Sequence, residues 1–249
     1  MPRVIRLCIP VLTSVLSCAI GCGTPPHRAA TATPAARANA EAEPPGAPSG
    51  PHDATSHHSF ADVERWRTVF DDPKRDAWQR PDEVVRALAL WPGACVADLG
   101  AGTGYFEHHL ARAVGKTGTV LAVDTEPNLV IYLRARAEKE GTRNVVPILA
   151  SPDDPRLPTG VVDVILIVDT YHHLDDRLAY LRRLRTALRP GGRVVVVDWQ
   201  KWELPVGPPP DHKLAREQVI DEMRTAGWAL GDERADLLPY QYFLVFRPR

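Results

Sequence analysis

The chain has 249 residues, with 30 Lys and Arg against 31 Asp and Glu and a formal net charge of −1 at pH 7. This balance leaves no excess of basic residues for nucleic acid binding, so we expect no nucleic acid partner. Cys95 is the only cysteine after residue 22, which excludes an internal disulfide or a two-cysteine metal site in residues 60–249, and we predict no metal site.

Residues 1–22 have the layout of a bacterial secretory signal. Arg3 and Arg6 precede an apolar run over residues 7–20, and Gly21-Cys22 follow. The run is too short for a permanent membrane span. The ending resembles a lipobox with Cys22 as the lipidated residue, and Cys18 is a second candidate. We expect an exported protein that contacts the membrane only through a lipid anchor. The alternatives are an ordinary signal peptide, or a cytoplasmic protein if this N-terminus is misassigned.

Residues 23–59 are rich in proline and alanine and nearly lack large apolar side chains. Such a segment buries too little surface to offset its chain entropy, so we predict a disordered tether. His57 and His58 lie in it, and we interpret them as solvated rather than as metal ligands.

Residues 60–249 alternate between helical and strand patterns and have the length of one domain. Apolar runs such as VILIV (164–168) and VVVV (194–197) indicate strands that are covered on both faces. The alternation predicts an α/β fold with a doubly wound, mostly parallel sheet. RPGG (189–192) is predicted to end a helix, with glycine as its cap. The predicted helices are 82–90, 106–114, 127–140, 174–188 and 214–226, and the seven predicted strands are 94–99, 119–124, 145–149, 162–168, 192–198, 230–235 and 242–246.

The segment VADLGAGTGYF (96–106) is the most informative in the chain. A predicted strand ends in a loop with glycine at positions 100, 102 and 104, and a helix follows. Glycine allows positive φ and a close approach of the backbone to a ligand. The arrangement therefore predicts a ligand site at the edge of the sheet.

Four motifs together resemble the class I S-adenosylmethionine-dependent methyltransferases, in particular those similar to the quinone-biosynthesis C-methyltransferases. They are DLGAGTG (98–104), VLAVDTEP (120–127), VDVILIVDTYHHL (162–174) and LRPGGRVVVVD (188–198). The resemblance covers about residues 60–249 and implies a Rossmann-like fold with S-adenosylmethionine as cofactor. The G-x-G-x-G spacing after Asp98 differs from the usual G-x-G-x-x-G of nicotinamide enzymes, which disfavours an oxidoreductase.

The resemblance also implies roles for single residues. Asp124 follows the second strand, and its two oxygens suit the cis-diol of a ribose. The alternative for Asp124 is a helix N-cap. Where relatives often have Gly-Asp-Ala with an adenine-binding Asp, this chain has ASPDD (150–154). Either Asp153 or, more weakly, Ser151 takes that contact, or the segment only forms a turn. The full set of predicted cofactor-binding residues is Asp98, Gly100, Ala101, Gly102, Gly104, Asp124, Thr125, Asp153 and Asp169.

Methyl transfer depends chiefly on alignment, because the sulfonium already activates the methyl group. A base is needed only if the accepting atom must lose a proton. His172 and His173, at the end of the fourth strand, are the candidates, with packing under the sheet edge as the alternative. His212 is a further candidate. The aromatic residues Trp199, Trp202, Tyr240 and Tyr242 either wall an acceptor pocket or belong to the core.

No motif identifies the acceptor or an oligomeric state. We expect a small molecule, and a lipid-like or quinone-like one fits a membrane tether. Since S-adenosylmethionine is made in the cytoplasm, an exported enzyme would need a supply outside it. A surface-anchored protein that binds a small molecule without turnover is therefore a second hypothesis.

Overall fold

A computed structural model describes residues 60–249, so the predicted signal and tether lie outside the described residues. None of the helices within 60–249 is long and apolar enough to cross a membrane. The helices are α1 (Val63–Phe70), α2 (Asp76–Gln79), α3 (Pro81–Ala87), α4 (Glu107–Val114), α5 (Pro127–Glu140), α6 (Arg177–Ala187) and α7 (Arg216–Thr225), with 3₁₀ turns at Pro73–Arg75, Tyr171–His173 and Pro210–His212. The strands are β1 (Cys95–Leu99), β2 (Thr119–Asp124), β3 (Val145–Leu149), β4 (Val162–Val168), β5 (Leu188–Trp199), β6 (Trp228–Glu233) and β7 (Gln241–Pro248).

The seven described strands form one sheet in the order β3-β2-β1-β4-β5-β7-β6. Strands β3, β2, β1, β4 and β5 run parallel to one another. Strand β7 is antiparallel to both β5 and β6. In the centre, Ala97 pairs with Leu121 on one side and with Ile165 on the other. The strand order reverses beside β1, so the carboxyl ends of β1 and β4 meet at the switch point, where ligands bind in such folds. The predicted doubly wound, mostly parallel sheet is confirmed.

Alternate residues of each central strand enter two separate cores. Ile165 and Ile167 belong to the core under α6 and α7, whereas Val164 and Leu166 belong to the core under α3 and α4. All seven residues of β4 are buried. This two-sided burial explains the continuous apolar runs, because neither face of these strands meets solvent.

Several predicted bounds differ from the observed ones, and the predicted glycine cap is wrong. The helix predicted over 174–188 begins only at Arg177, because Asp176 caps it by accepting the N–H of Ala179 at 3.1 Å. Glycine does not cap its end: α6 stops at Ala187, and Leu188 already has the extended backbone of β5. The chain therefore passes directly from helix to strand, and RPGG forms an irregularity within the range of β5: Leu188 pairs with Val162 and Arg193 with Val164, so residues 189–192 pair with no residue of β4.

Candidate functional site

The glycine loop after β1 adopts the backbone that its sequence predicts. Gly100, Gly102 and Gly104 have φ values of 77°, 59° and 90°, in the region that favours glycine. The N–H groups of Gly100 and Ala101 donate to the carbonyl of Val123 at 2.8 and 3.0 Å, which fixes the loop to the end of β2.

Gly100 also lies too close to β4 for any side chain. A Cβ at this position would lie 2.2 Å from Oγ1 of Thr170, just after β4. The backbone after β1 and the side chain after β4 thus lie in close contact at the switch point. A ligand bound there would contact the backbone of the glycine loop on the β1 side. The loop fits a group that requires close backbone approach.

Asp124 joins this loop from the neighbouring strand. Its Oδ2 accepts the N–H of Gly102 at 2.8 Å, and its Oδ1 accepts the N–H of Glu126 at 2.9 Å. The side chain is buried, and this burial raises the pKa of Asp124 despite those hydrogen bonds. The N-cap of α5 is Glu126, not Asp124. Asp124 therefore closes the turn that enters α5 and stands beside the glycine loop, with Thr125 exposed next to it. Ribose binding by Asp124 and Thr125 stays a prediction.

Asp98, the acidic residue of β1, faces the carboxyl group of Glu107, a residue that the sequence motifs did not single out. Its side chain interacts with that of Glu107 at the start of α4, and both residues are buried. Burial raises the pKa of Asp98 to about 7 and raises that of Glu107 well above its usual range. Two adjacent carboxyl groups therefore lie directly behind the glycine loop.

Asp169 marks the end of β4, beside Thr170. Its φ of 51° is unusual for a residue other than glycine, and such backbone is often found at functional sites. Oδ1 accepts from Nε2 of Gln241 at 2.6 Å, and Oδ2 accepts from Nη2 of Arg75 at 3.3 Å. Burial raises the pKa of Asp169 to about 7, although Arg75 opposes the shift. Asp169 is thus a carboxyl group held in place from two directions at the switch point.

Arg75 and Gln241 are members of this site that sequence reasoning missed. Arg75 precedes α2 and lies with its guanidinium 4.2 Å from the ring centre of Tyr105, and it also donates to Gln79 at 3.0 Å. No motif marks either residue, because each reaches the site from a segment outside the four recognised motifs. Only the tertiary fold brings them to the end of β4.

The two candidate histidines have different surroundings. His172 is 3% exposed, and its Nδ1 lies 2.9 Å from Oδ1 of Asp198 on β5. Burial opposes its protonated form, but the Asp198 carboxylate outweighs this and raises the pKa of His172. His173 is half-buried, with its ring 5.8 Å from that of Phe60. His172 is therefore packed in the interior, as the alternative interpretation expects. A role as base stays a prediction for both histidines.

Helix α1 lies over the glycine loop. Phe60, Trp66 and Phe70 form an aromatic cluster with ring centres 4.7 to 6.0 Å apart, which we call the aromatic cover. A Cβ on Gly102 would lie 3.3 Å from the Phe70 ring, so this ring touches the loop. The cover thus places apolar surface at the mouth of the site.

A polar contact fixes the end of α1 to the same loop. Oδ1 of Asp71 accepts from the Thr103 hydroxyl at 2.8 Å and from Nη1 of Arg136 at 3.1 Å. The same Nη1 donates to the carbonyl of Thr103 at 2.8 Å. These three side chains tie α1, the glycine loop and α5 together.

The remaining candidate residues lie partly in turns, partly in the core and partly at the surface. Asp153 is exposed, and its carboxylate accepts from the Ser151 hydroxyl at 2.9 Å, within a turn closed by a bridge between Ser151 and Asp154. Its contact with adenine stays a prediction. Among the aromatic residues Trp199 and Tyr242 are buried, Tyr240 is half-buried and Trp202 is 56% exposed. His212 ends a 3₁₀ turn.

Comparison with known proteins agrees with this geometry. A family model described as a methyltransferase domain matches residues 96–192. A demethylmenaquinone methyltransferase of Lactococcus lactis subsp. lactis is 24% identical over 146 residues, which is 59% of this chain and 57% of the relative. The ubiquinone/menaquinone biosynthesis C-methyltransferase UbiE of Shewanella frigidimarina is 27% identical over 141 residues, which is 56% of this chain and 52% of the relative. The chain thus spans about half the length of the curated relatives it matches.

The crystal structure of a SAM dependent methyltransferase from Aquifex aeolicus shares the fold, with a TM-score of 0.71 and 27% identity, over 76% of this chain and 98% of that one. The family match contains the glycine loop, Asp124 and the end of β4. Residues 96–192 therefore match a methyltransferase domain, and the described residues have the fold of the class I S-adenosylmethionine-dependent methyltransferases.

Proposed function

We propose that this protein transfers a methyl group from S-adenosylmethionine to a small-molecule acceptor, of a lipid-like or quinone-like kind. The observation that carries the proposal is the meeting of the glycine loop, Asp98 and Asp124 at the carboxyl ends of β1 and β2. A close backbone approach, a carboxyl group for an ammonium and two acceptor oxygens for a diol match the three polar parts of this cofactor.

Bound S-adenosylmethionine supplies a methyl group on a positively charged sulfur. The residues of the chain hold the partners in line and keep water out, which is the main contribution an enzyme makes to such a transfer. Asp124 accepts hydrogen bonds on the β2 side, and the aromatic cover shields the loop on the solvent side. Asp169 lies at the end of β4, where Arg75 and Gln241 fix its carboxyl group.

Two features support an apolar acceptor. Phe60, Trp66 and Phe70 present aromatic surface beside the glycine loop, and the two curated relatives named above are quinone methyltransferases. The predicted lipid anchor would bring the domain to a membrane that contains such molecules. If the accepting atom must lose a proton, we propose that His173 takes it.

Thermal unfolding of the protein with added nucleotides tests the cofactor assignment. We expect S-adenosylmethionine and S-adenosylhomocysteine to raise the melting temperature and NAD to leave it unchanged, since a ligand that binds only the folded state stabilises it. A rise with NAD alone would overturn the proposal. Transfer of a labelled methyl group from S-adenosylmethionine to a bacterial lipid extract then separates turnover from binding: a thermal shift without any labelled product would favour the binding hypothesis.

We also propose that the protein is exported and anchored through Cys22, a residue outside the described part of the chain. Fractionation of cells that express the wild type or Cys22→Ala tests this. We expect the wild type in the membrane fraction and the variant in a soluble fraction. Equal distribution of the two proteins would contradict the anchor.

A further inference from the structure

Glu107 is a buried carboxyl group with an unusual lack of donors. It is 4% exposed, and neither Oε1 nor Oε2 has a hydrogen-bond donor among the described residues. Buried carboxylates are normally satisfied, because a lost partner costs the full desolvation of the group. The arrangement therefore needs either a proton on Glu107 or a cation near it.

The group that faces Glu107 is another carboxyl, that of Asp98. Two carboxylates can only accept, so a hydrogen bond between these groups needs a proton on one of them. Burial raises the pKa of both residues, and the neighbouring carboxylate raises that of Glu107 further. These effects favour one proton held by the pair, as in other carboxyl pairs in one site.

Other charged groups face the pair from the elements around it. Arg136 on α5 acts on Glu107, and Arg75 before α2 acts on Asp98, both in favour of the charged form. Asp124 on β2 opposes ionisation of Asp98. Neither arginine makes a hydrogen bond to the pair in the described structure, since Arg136 is bonded to Asp71, Thr103 and Glu140 and Arg75 to Asp169, Gln79 and Phe70. The pair is left with one negative charge and one proton, directly behind the glycine loop.

We infer that Asp98 and Glu107 form a proton-sharing carboxyl pair, and that binding of the ligand's α-ammonium group beside Asp98 releases the shared proton. The inference rests on the proposed function, because the ammonium belongs to the methionine part of the cofactor. Glu107 thus has a positioning role. In the free protein it shares a proton with the buried Asp98. In the complex the negative charges of the two carboxylates face the positive charge of the ammonium. No covalent bond changes, and the proton passes to solvent.

The consequence is a cofactor affinity that rises with pH. A ligand that binds the deprotonated pair gains affinity as the proton is lost in the free protein. Where the free pair carries its proton, we expect the affinity for S-adenosylhomocysteine to rise about tenfold per pH unit, with release of about one proton on binding. The neutral nucleoside 5′-methylthioadenosine, which lacks the amino acid part, should release none.

Titration calorimetry in two buffers of different ionisation enthalpy measures the released protons. We expect release with S-adenosylhomocysteine in the wild type and in Glu138→Gln, an exposed control on α5. In Glu107→Gln the amide donates to Asp98 and no second carboxyl group is left to share a proton, so both the release and the pH dependence should fall clearly below those of the wild type. Asp98→Asn should lose the release as well. Binding of 5′-methylthioadenosine reports that each variant is folded.

The outcomes separate the two proposals. If S-adenosylhomocysteine binds the wild type without proton release, or if Glu107→Gln releases as many protons as the wild type, the carboxyl pair is overturned and the proposed function stands. If neither nucleoside binds the wild type, the proposed function has failed, and the inference fails with it.

Discussion

Nδ1 of His172 lies 2.9 Å from Oδ1 and 3.0 Å from Oδ2 of Asp198, and both side chains are almost wholly buried. The backbone N–H of His172 donates to the same carboxylate at 3.3 Å. Asp198 on β5 thereby holds the 3₁₀ turn that follows β4. This pair fixes the turn that carries His173 and that follows Asp169.

The His172–Asp198 pair predicts a pH dependence of stability. A histidine whose pKa is raised on folding contributes stability that is complete below its unfolded value of 6.5. That contribution disappears as the pH rises through the higher folded value. We therefore expect the difference in unfolding free energy between the wild type and His172→Gln to be largest near pH 6 and to shrink above neutral pH.

Urea unfolding at several pH values measures this difference. A difference for His172→Gln that does not vary with pH would mean that the ion pair contributes nothing.

Gly100→Ala should both destabilise the protein and abolish binding of S-adenosylhomocysteine. The new Cβ would meet Thr170, whose hydroxyl is itself held by the Val168 carbonyl at 2.8 Å and does not rotate away freely. Positive φ costs an alanine about 1–2 kcal/mol, and overpacking adds about 1–3 kcal/mol.

Gly141→Ala is the matched control for this substitution. Gly141 has a similar φ of 71°, and nothing lies within 4 Å of its added Cβ. It should therefore cost only the backbone strain and keep full affinity. Equal unfolding free energies for the two variants in urea would show that the contact with Thr170 is unimportant.

Asp124→Ala should weaken binding of S-adenosylhomocysteine by about 1–3 kcal/mol, through loss of hydrogen bonds to a charged acceptor. The variant also frees the N–H of Gly102, so calorimetry should be accompanied by a melting curve. An unchanged affinity would show that the end of β2 does not hold the ribose.

Asp153→Ala tests the predicted contact with adenine. We expect loss of one hydrogen bond to the adenine amino group to weaken binding of S-adenosylhomocysteine by about 0.5–1.5 kcal/mol. A smaller change would leave the exposed Asp153 with only its bond to Ser151, as part of the turn.

Asp71→Ala should detach the end of α1 from the glycine loop. The Thr103 hydroxyl and the Arg136 guanidinium both lose an acceptor, so we expect the unfolding free energy to fall by about 1–2 kcal/mol and the affinity for S-adenosylhomocysteine to fall with it. Glu64→Ala, which breaks an exposed ion pair with Arg67 on the same helix, should change neither by more than about 0.5 kcal/mol. If the two variants behave alike, the polar contact does not support the loop.

The sequence predicts the sheet well because its central strands are apolar on both faces. Strands β2, β3 and β4 and helix α5 have the predicted bounds. Helix α1 was not predicted, although Val63, Trp66 and Phe70 recur at helical spacing; none of its residues is buried in the core. Arg75 and Glu107 were missed for a different reason. Their importance comes from what faces them across the fold, and no local pattern encodes a partner such as Asp98.

Strand β7 has a consequence for how the site is assembled. It lies between β5 and β6, and its first residue, Gln241, donates to Asp169 at the end of β4. The residues of β7, Gln241–Pro248, must therefore leave the ribosome before the polar frame around Asp169 can close. Until β7 pairs with β5 the site is incomplete, so we expect a nascent chain to bind ligand only after this strand has joined the sheet.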